Sequence, residues 1–270
     1  MRAKLAAILF VIILAFITVY ITDVFNKLFI ESNSKFTESA SAAFLGAFLA
    51  FIFVRVADFF KSYSDRVAKS HSALVKLQHS LNNLLTSLDD NIYVIEIFEK
   101  IYNTYKVKSP EHTFIWANKL HPVELHNDII IDLLNIDLIN ELFSLNIHLR
   151  KLNNSMDTTN DAYQESKNAL IAKNITPQNY LDNVANLYSN LLTIKKFLKD
   201  AMNETTIVFA AIRILAKQKP LISYIFPLVS GPSLDKSFNV KRDKERNALL
   251  EEIKTTKQKS SDRINETLNK

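Results

Sequence analysis

The stretch FVRVADFFKSYSDRVAKSHSALVKLQHSLNNLLTSLDDNIYVIEIFEKIYNTY, residues 53–105, decides the fold. Counting sevens from Phe53 gives Phe60, Val67, Leu74, Leu81, Leu88, Ile95 and Tyr102. The interleaved set is Val56, Tyr63, Ser70, Leu77, Leu84, Asn91, Phe98 and Tyr105. Two series offset by three and four residues put one stripe along a helix. Such a stripe is either a coiled coil between subunits or the inward face of a bundle. Beyond Asn91, Ile92, Val94, Ile97 and Ile101 widen it, which favours a bundle in that half. Asp89-Asp90 reads as the cap of a new helix that breaks the rod there.

Composition agrees with helices. Gly46 and Gly231 are the only glycines. Tight hairpins and phosphate-cradling loops rely on glycine for positive φ, so a β-rich or nucleotide-binding α/β fold is disfavoured. Cysteine is absent, which excludes disulfides, thiolate metal sites and a cysteine nucleophile. Of the net charge of +5, five basic and three acidic residues in the first 55 supply +2. The remaining +3 is spread over many charges, where a nucleic-acid binder clusters its basic residues. No direct sequence-specific nucleic-acid binding is expected.

Upstream of the stripe, residues 5–22 read LAAILFVIILAFITVYIT without a charge. Eighteen helical residues span about 27 Å, close to a bilayer's hydrocarbon core. A signal peptide competes, but the stretch is long for one and no small-x-small cleavage site follows. A second apolar segment, residues 39–57, runs SASAAFLGAFLAFIFVRVA, with Arg55 placed to snorkel. Arg2 and Lys4 precede the first segment, while Arg55, Lys61, Arg66 and Lys69 follow the second. By the positive-inside rule both termini are expected in the cytoplasm, on a multi-pass protein of the cell inner membrane. In the second span Ala42, Gly46 and Ala50 recur every four residues, a spacing that lets helix backbones approach closely in lipid. That face would pack on the first span or on other subunits, and a homo-oligomer is expected.

Downstream, Ser109-Pro110, His121-Pro122 and Thr176-Pro177 each put proline where a helix can begin. Residues 123–152 are apolar on nearly two faces and read as central in the bundle. Residues 153–161 are polar and read as a connection. Pro177 to Gln218 reads as one helix of about forty residues, on the order of 60 Å long. Residues 207–229 are apolar but hold Arg213, Lys217, Lys219, Pro220 and Pro227, too interrupted for a third span. The charged tail after Pro232 reads as a peripheral helix that frays at its end.

The fold expected is therefore all-α: a two-helix transmembrane hairpin over 1–60 continuing into a cytoplasmic helical bundle over 61–234, then a charged helical tail over 235–270. The search for chemistry returns little. No H-E-x-x-H, phosphate loop or G-x-S-x-G elbow occurs. His121, Glu124 and His126 come nearest to metal spacing, but Pro122 spoils a common helical face. Asp128 and Asp132 read as a solvated stripe. No catalytic residue, metal or cofactor is expected, and the chain does not read as an enzyme.

The hairpin and the juxtamembrane helix, about the first hundred residues, resemble in layout the two-transmembrane effector proteins of bacterial retron-type antiphage defence systems. The resemblance is architectural and carries no functional residues. It implies an effector of abortive infection whose helical domain senses a trigger and whose spans assemble to permeabilise the inner membrane. It also implies a cytoplasmic partner, a ribonucleoprotein of reverse transcriptase and its noncoding RNA. The alternative is a membrane-tethered scaffold or signalling subunit without pore activity.

Overall fold

The computed structural model describes residues 19–20, 23, 35–108, 119–125, 127–217 and 236–268. These residues are helical or irregular, and none forms a strand. Among the described residues the long helices are α1 (Lys35–Lys108), α2 (Ile136–Ile171), α3 (Pro177–Lys217) and α4 (Lys236–Leu268), with a 3₁₀ turn at Asn127–Asp132. The all-α expectation holds, with helices of up to 74 residues. The chain divides into two compact units, residues 1–72 with 218–233 and residues 73–217 with 234–270.

In the first unit, residues 39–57 are helical as part of α1. Among the described residues, no helix is long and apolar enough to cross a membrane. The expected hairpin is therefore not found among them. The first span, 5–22, lies outside the described residues apart from Val19 and Tyr20. The second, residues 39–57, lies within α1.

The second unit is built on three stripes. On α1, Leu74, Leu77, Leu81, Leu84, Leu88, Asn91, Ile95 and Phe98 are all buried. On α2, Leu138, Leu142, Leu145, Leu149, Leu152, Met156, Thr159 and Tyr163 are buried. On α3 the series is Tyr180, Val184, Leu187, Leu191, Ile194, Leu198, Ala201, Thr205, Val208, Ile212 and Leu215. Every stripe steps by three and four, so each helix turns an apolar face inward, and α3 is buried on further faces from Thr205 to Ile212. These faces share one hydrophobic core. The stripe of α1 thus closes within a single chain, as the inward face of a bundle.

Caps set the helix ends. Asn135 accepts a hydrogen bond from the Leu138 N–H at 2.9 Å and starts α2. Lys173 stands at φ 58° after α2, with the Lys173 N–H on the Leu170 carbonyl and the Asn174 N–H on that of Ala169. That is a Schellman stop with lysine where glycine is cheaper. Thr176 caps α3 as expected, its hydroxyl accepting from the Asn179 N–H at 3.1 Å, with Pro177 as first residue. The expected helix to Gln218 is observed to Lys217.

Three local expectations are corrected. Asp89-Asp90 does not break α1, because Leu88 and Ile92 are buried on either side and hold the helix through the pair. Residues 153–161 are not a connection but lie inside α2, with Asn160, Met156 and Thr159 inward. His121-Pro122 starts no helix. Residues 119–125 are irregular, so residues 123–152 are central only from Ile136 onward as helix.

Candidate functional site

The most constructed feature of the second unit is the segment 120–125, held between α1 and α2 by asparagine side chains. Asn160 accepts from the Leu120 N–H at 3.2 Å and donates to the Leu120 carbonyl at 3.0 Å. Asn153 treats Val123 the same way, at 2.9 and 2.8 Å. From the other side Asn91 accepts from the His121 N–H and donates to the His121 carbonyl, both at 2.8 Å. Asn146 donates to the Leu125 carbonyl at 3.3 Å. An amide carries a donor and an acceptor side by side, so it can replace a neighbouring strand for one residue.

The spacing explains the fit. Asn146, Asn153 and Asn160 are seven residues apart, about 10.5 Å along α2. Three residues of extended chain cover about 9–10 Å, which matches Leu120 to Val123. Val123 to Leu125 is only two residues, and there the ladder makes a single, longer bond. Pro122 falls at a position that lacks an N–H to satisfy. Leu120, Val123 and Leu125 are buried, while His121, Pro122 and Glu124 are exposed. The segment is a strap fixed by its backbone and anchored by three apolar side chains.

Beside it lies a mixed aromatic and charged cluster. Phe98, Tyr102 and Tyr188 stack, the two tyrosine rings 4.5 Å apart. Tyr188 donates to Glu99 at 3.3 Å, and Lys195 bridges Glu99 and Glu96 at 3.1 and 3.2 Å. The Lys195 hydrogen bond holds the Glu99 carboxyl below the usual carboxylate range against the opposing effect of burial. Burial pulls the Lys195 ammonium down, but its bonds to Glu99 and Glu96 outweigh this and keep it above the ordinary lysine value. Desolvation, reinforced by Glu99, raises the Tyr188 phenol. The cluster joins α1 to α3 and has no aligned nucleophile.

A surface cleft between α2 and α3 is lined by His148, Lys151, Ser155, Phe197, Asp200 and Glu204. His148 Nδ1 lies 2.8 Å from Glu204 Oε2, with both side chains more than two-fifths exposed. Ser155 donates within its own helix to the Lys151 carbonyl. The histidine is therefore paired with a carboxylate in solvent, and no hydroxyl is aligned on it.

α4 is held to the bundle by Phe238 and Leu249 and by ion pairs. Arg213 meets Glu245 and Glu252, Lys217 meets Glu245, and Arg242 meets Glu141 at 2.7 Å. Arg246 adds bonds to Asn203 and Thr206.

Ala42, Gly46 and Ala50 all lie in α1. Gly46 and Ala50 are exposed, and a Cβ built on Gly46 meets nothing within 4 Å among the described residues. The structure does not bring this face against a described partner. Among the described residues, no group of three or more metal-ligating side chains is placed to hold an ion. His121 and Glu124 are exposed, His126 lies outside the described residues, and Asp128 and Asp132 are exposed in the 3₁₀ turn. The asparagine ladder was missed in the sequence, although Asn146, Asn153 and Asn160 carry a heptad signal beside Leu149, Leu152 and Met156. Comparison with protein-family models, with curated proteins and with solved structures finds no match to this chain.

Proposed function

We propose that the chain is a membrane-anchored effector whose helical domain senses a trigger and whose apolar N-terminal helices assemble to permeabilise the bacterial inner membrane. The observation that supports the reading is the outward display of large apolar residues by α1. Phe44, Phe51, Phe53, Val54 and Phe59 are each more than half exposed. On a helical wheel they spread around the axis, so one packed face cannot cover them all. A helix that is apolar all round belongs in a protein interior or in lipid. The uncharged run 5–22 supplies a second apolar segment, and the basic residues outside both segments favour cytoplasmic termini. In this reading the partner is a cytoplasmic protein or ribonucleoprotein that restrains the effector, in line with the retron-type resemblance.

The test is expression of the full chain without a partner, with membrane-fraction abundance and dye-reported membrane potential read together. The effector depolarises the cell. Gly46→Leu should leave abundance unchanged and abolish depolarisation, because leucine suits lipid but blocks close helix approach. Recovery of the wild type outside the membrane fraction defeats the anchor itself. A second reading, a membrane-tethered scaffold, is supported by the exposed Ile136, Phe143 and Ile147 on one face of α2. It predicts membrane association with no depolarisation.

A further inference from the structure

We propose that the outward face of α2 between Ile136 and Asn154 binds a second copy of the chain, as an antiparallel helix pair about a two-fold axis beside Ser144. Ile136, Phe143 and Ile147 are 65%, 46% and 55% exposed. With Asn140, Arg150 and Asn154 they step by four and three, on the side of α2 opposite the buried Leu138, Leu142, Leu145 and Leu149. That spacing is the seam of a two-helix contact, about 28 Å long. It ends where Asp157, Asp161 and Glu165 take over the face.

Charge names the occupant. Glu141 and His148 of α2 are paired within the chain, with Arg242 on α4 and Glu204 on α3. The charges beside the seam are not. Among the described residues Asp137, Arg150 and Lys151 have no ion-pair partner. Lys151 shares the α2–α3 cleft with Asp200 and Glu204 but pairs with neither. Asp137 and Lys151 stand one heptad before and after Ser144, and all three are exposed on one flank of the seam. Antiparallel helices bring residues equally distant from the axis opposite each other. Asp137 therefore meets Lys151 of the second copy, and the two-fold makes the pair twice. On the seam Phe143 interleaves with Ile147 of the second copy, and the Asn140 amide oxygen accepts from Arg150. Ser144, at the axis, is small enough to let the helices close. A parallel pair would instead set Asp137 level with Asp137 and Lys151 level with Lys151. One helix against another is a small interface, so the pairing is reversible. This surface does not rest on the membrane reading, and its readout is a covalent dimer rather than depolarisation.

The chain has no cysteine, so single cysteines on the purified full-length protein can be joined by a short bifunctional thiol reagent. Ser144→Cys should crosslink to itself, and Lys196→Cys, exposed on α3, should not. Asp137→Cys and Lys151→Cys should each stay uncrosslinked alone and join when mixed. On the Ser144→Cys chain, Lys151→Asp should lower the crosslinked fraction about fivefold, as expected for two exposed pairs lost. Adding Asp137→Lys should restore it. Phe143→Glu should abolish crosslinking with the helical circular dichroism retained, because Phe143 lies outside the core. Self-crosslinking of Asp137→Cys, equal yields at Ser144→Cys and Lys196→Cys, or a charge swap that restores nothing overturns the proposal. A chain recovered outside the membrane fraction that still joins through Ser144→Cys defeats the anchor and upholds this surface.

Discussion

The two ends of α1 use the same repeat to opposite effect. From Leu74 to Phe98 the series is buried against α2 and α3, and Leu77, Leu81, Leu88, Ile95 and Phe98 have no exposed surface. At the other end Phe53 occupies the same heptad position and is half exposed, as are Phe51 and Val54. The difference lies in what surrounds the stripe. Around Leu81 the other faces carry Asn82, Asn83, Thr86 and Lys76, so water and core each have a side. Around Phe53, residues 47–57 are apolar on every face but that of Arg55, and the heptad is incidental. Periodicity shows which face is buried only where the remaining faces are polar.

The contrast can be broken most forcefully by truncation. Leu81→Ala should destabilise the bundle by about 2–5 kcal/mol, the range for opening a cavity in a packed core. Phe53→Ala should stay within about 0.5 kcal/mol, as expected for a site outside the core. Chemical denaturation of both variants checks this, and equal losses would mean that the two ends share one core. The polar counterpart is Asn153→Ala, which strips both backbone partners from Val123. A loss of about 1–3 kcal/mol is expected, with faster amide exchange at Val123. An unchanged exchange rate would remove the strap from the core's account.

Smaller effects sharpen the same boundary. Glu99 has a lowered pKa in the folded state, so its contribution is present above the unfolded carboxylate value and is lost as pH falls through the folded one. Wild-type stability should therefore drop on acidification more steeply than that of Glu99→Gln, measured by denaturation between about pH 6 and pH 3. Lysine 195 acts at the other end of the scale, its contribution lost only as pH rises through a value above the ordinary one. Least of all, Lys173→Gly should stabilise by about 0.5–1 kcal/mol by relieving a left-handed lysine. A destabilised variant would mean that the lysine side chain contributes more than its backbone costs.

Much of the bundle was legible because its signals are local and agree with one another. Thr176-Pro177 marks the start of α3, and the stripe from Tyr180 to Leu215 then runs without a break. What misled was polarity read as exposure. Asn153 and Asn160 are hydrophilic, yet they belong to the inward stripe because segment 120–125 brings backbone groups for them to satisfy. That contact joins residues thirty and forty apart in sequence, and no local pattern announces it. His121-Pro122 did carry a usable hint, since a residue before proline is pushed toward extended backbone, away from helix. The site residues Ala42, Gly46 and Ala50 were legible as a spacing, but a spacing does not name the surface that meets it.

The strap also gives this bundle a way to age. Its register depends on amides that present a donor and an acceptor together, and hydrolysis of one amide leaves a carboxylate that only accepts. An aspartate formed at position 153 would set a negative oxygen against the Val123 carbonyl where a donor now stands at 2.8 Å. At position 91 the same chemistry would bring a charge to a site with 1% exposure. A mass change of a single dalton at either asparagine would thus act as a time-stamped mutation, loosening the segment in old molecules that were sound when made.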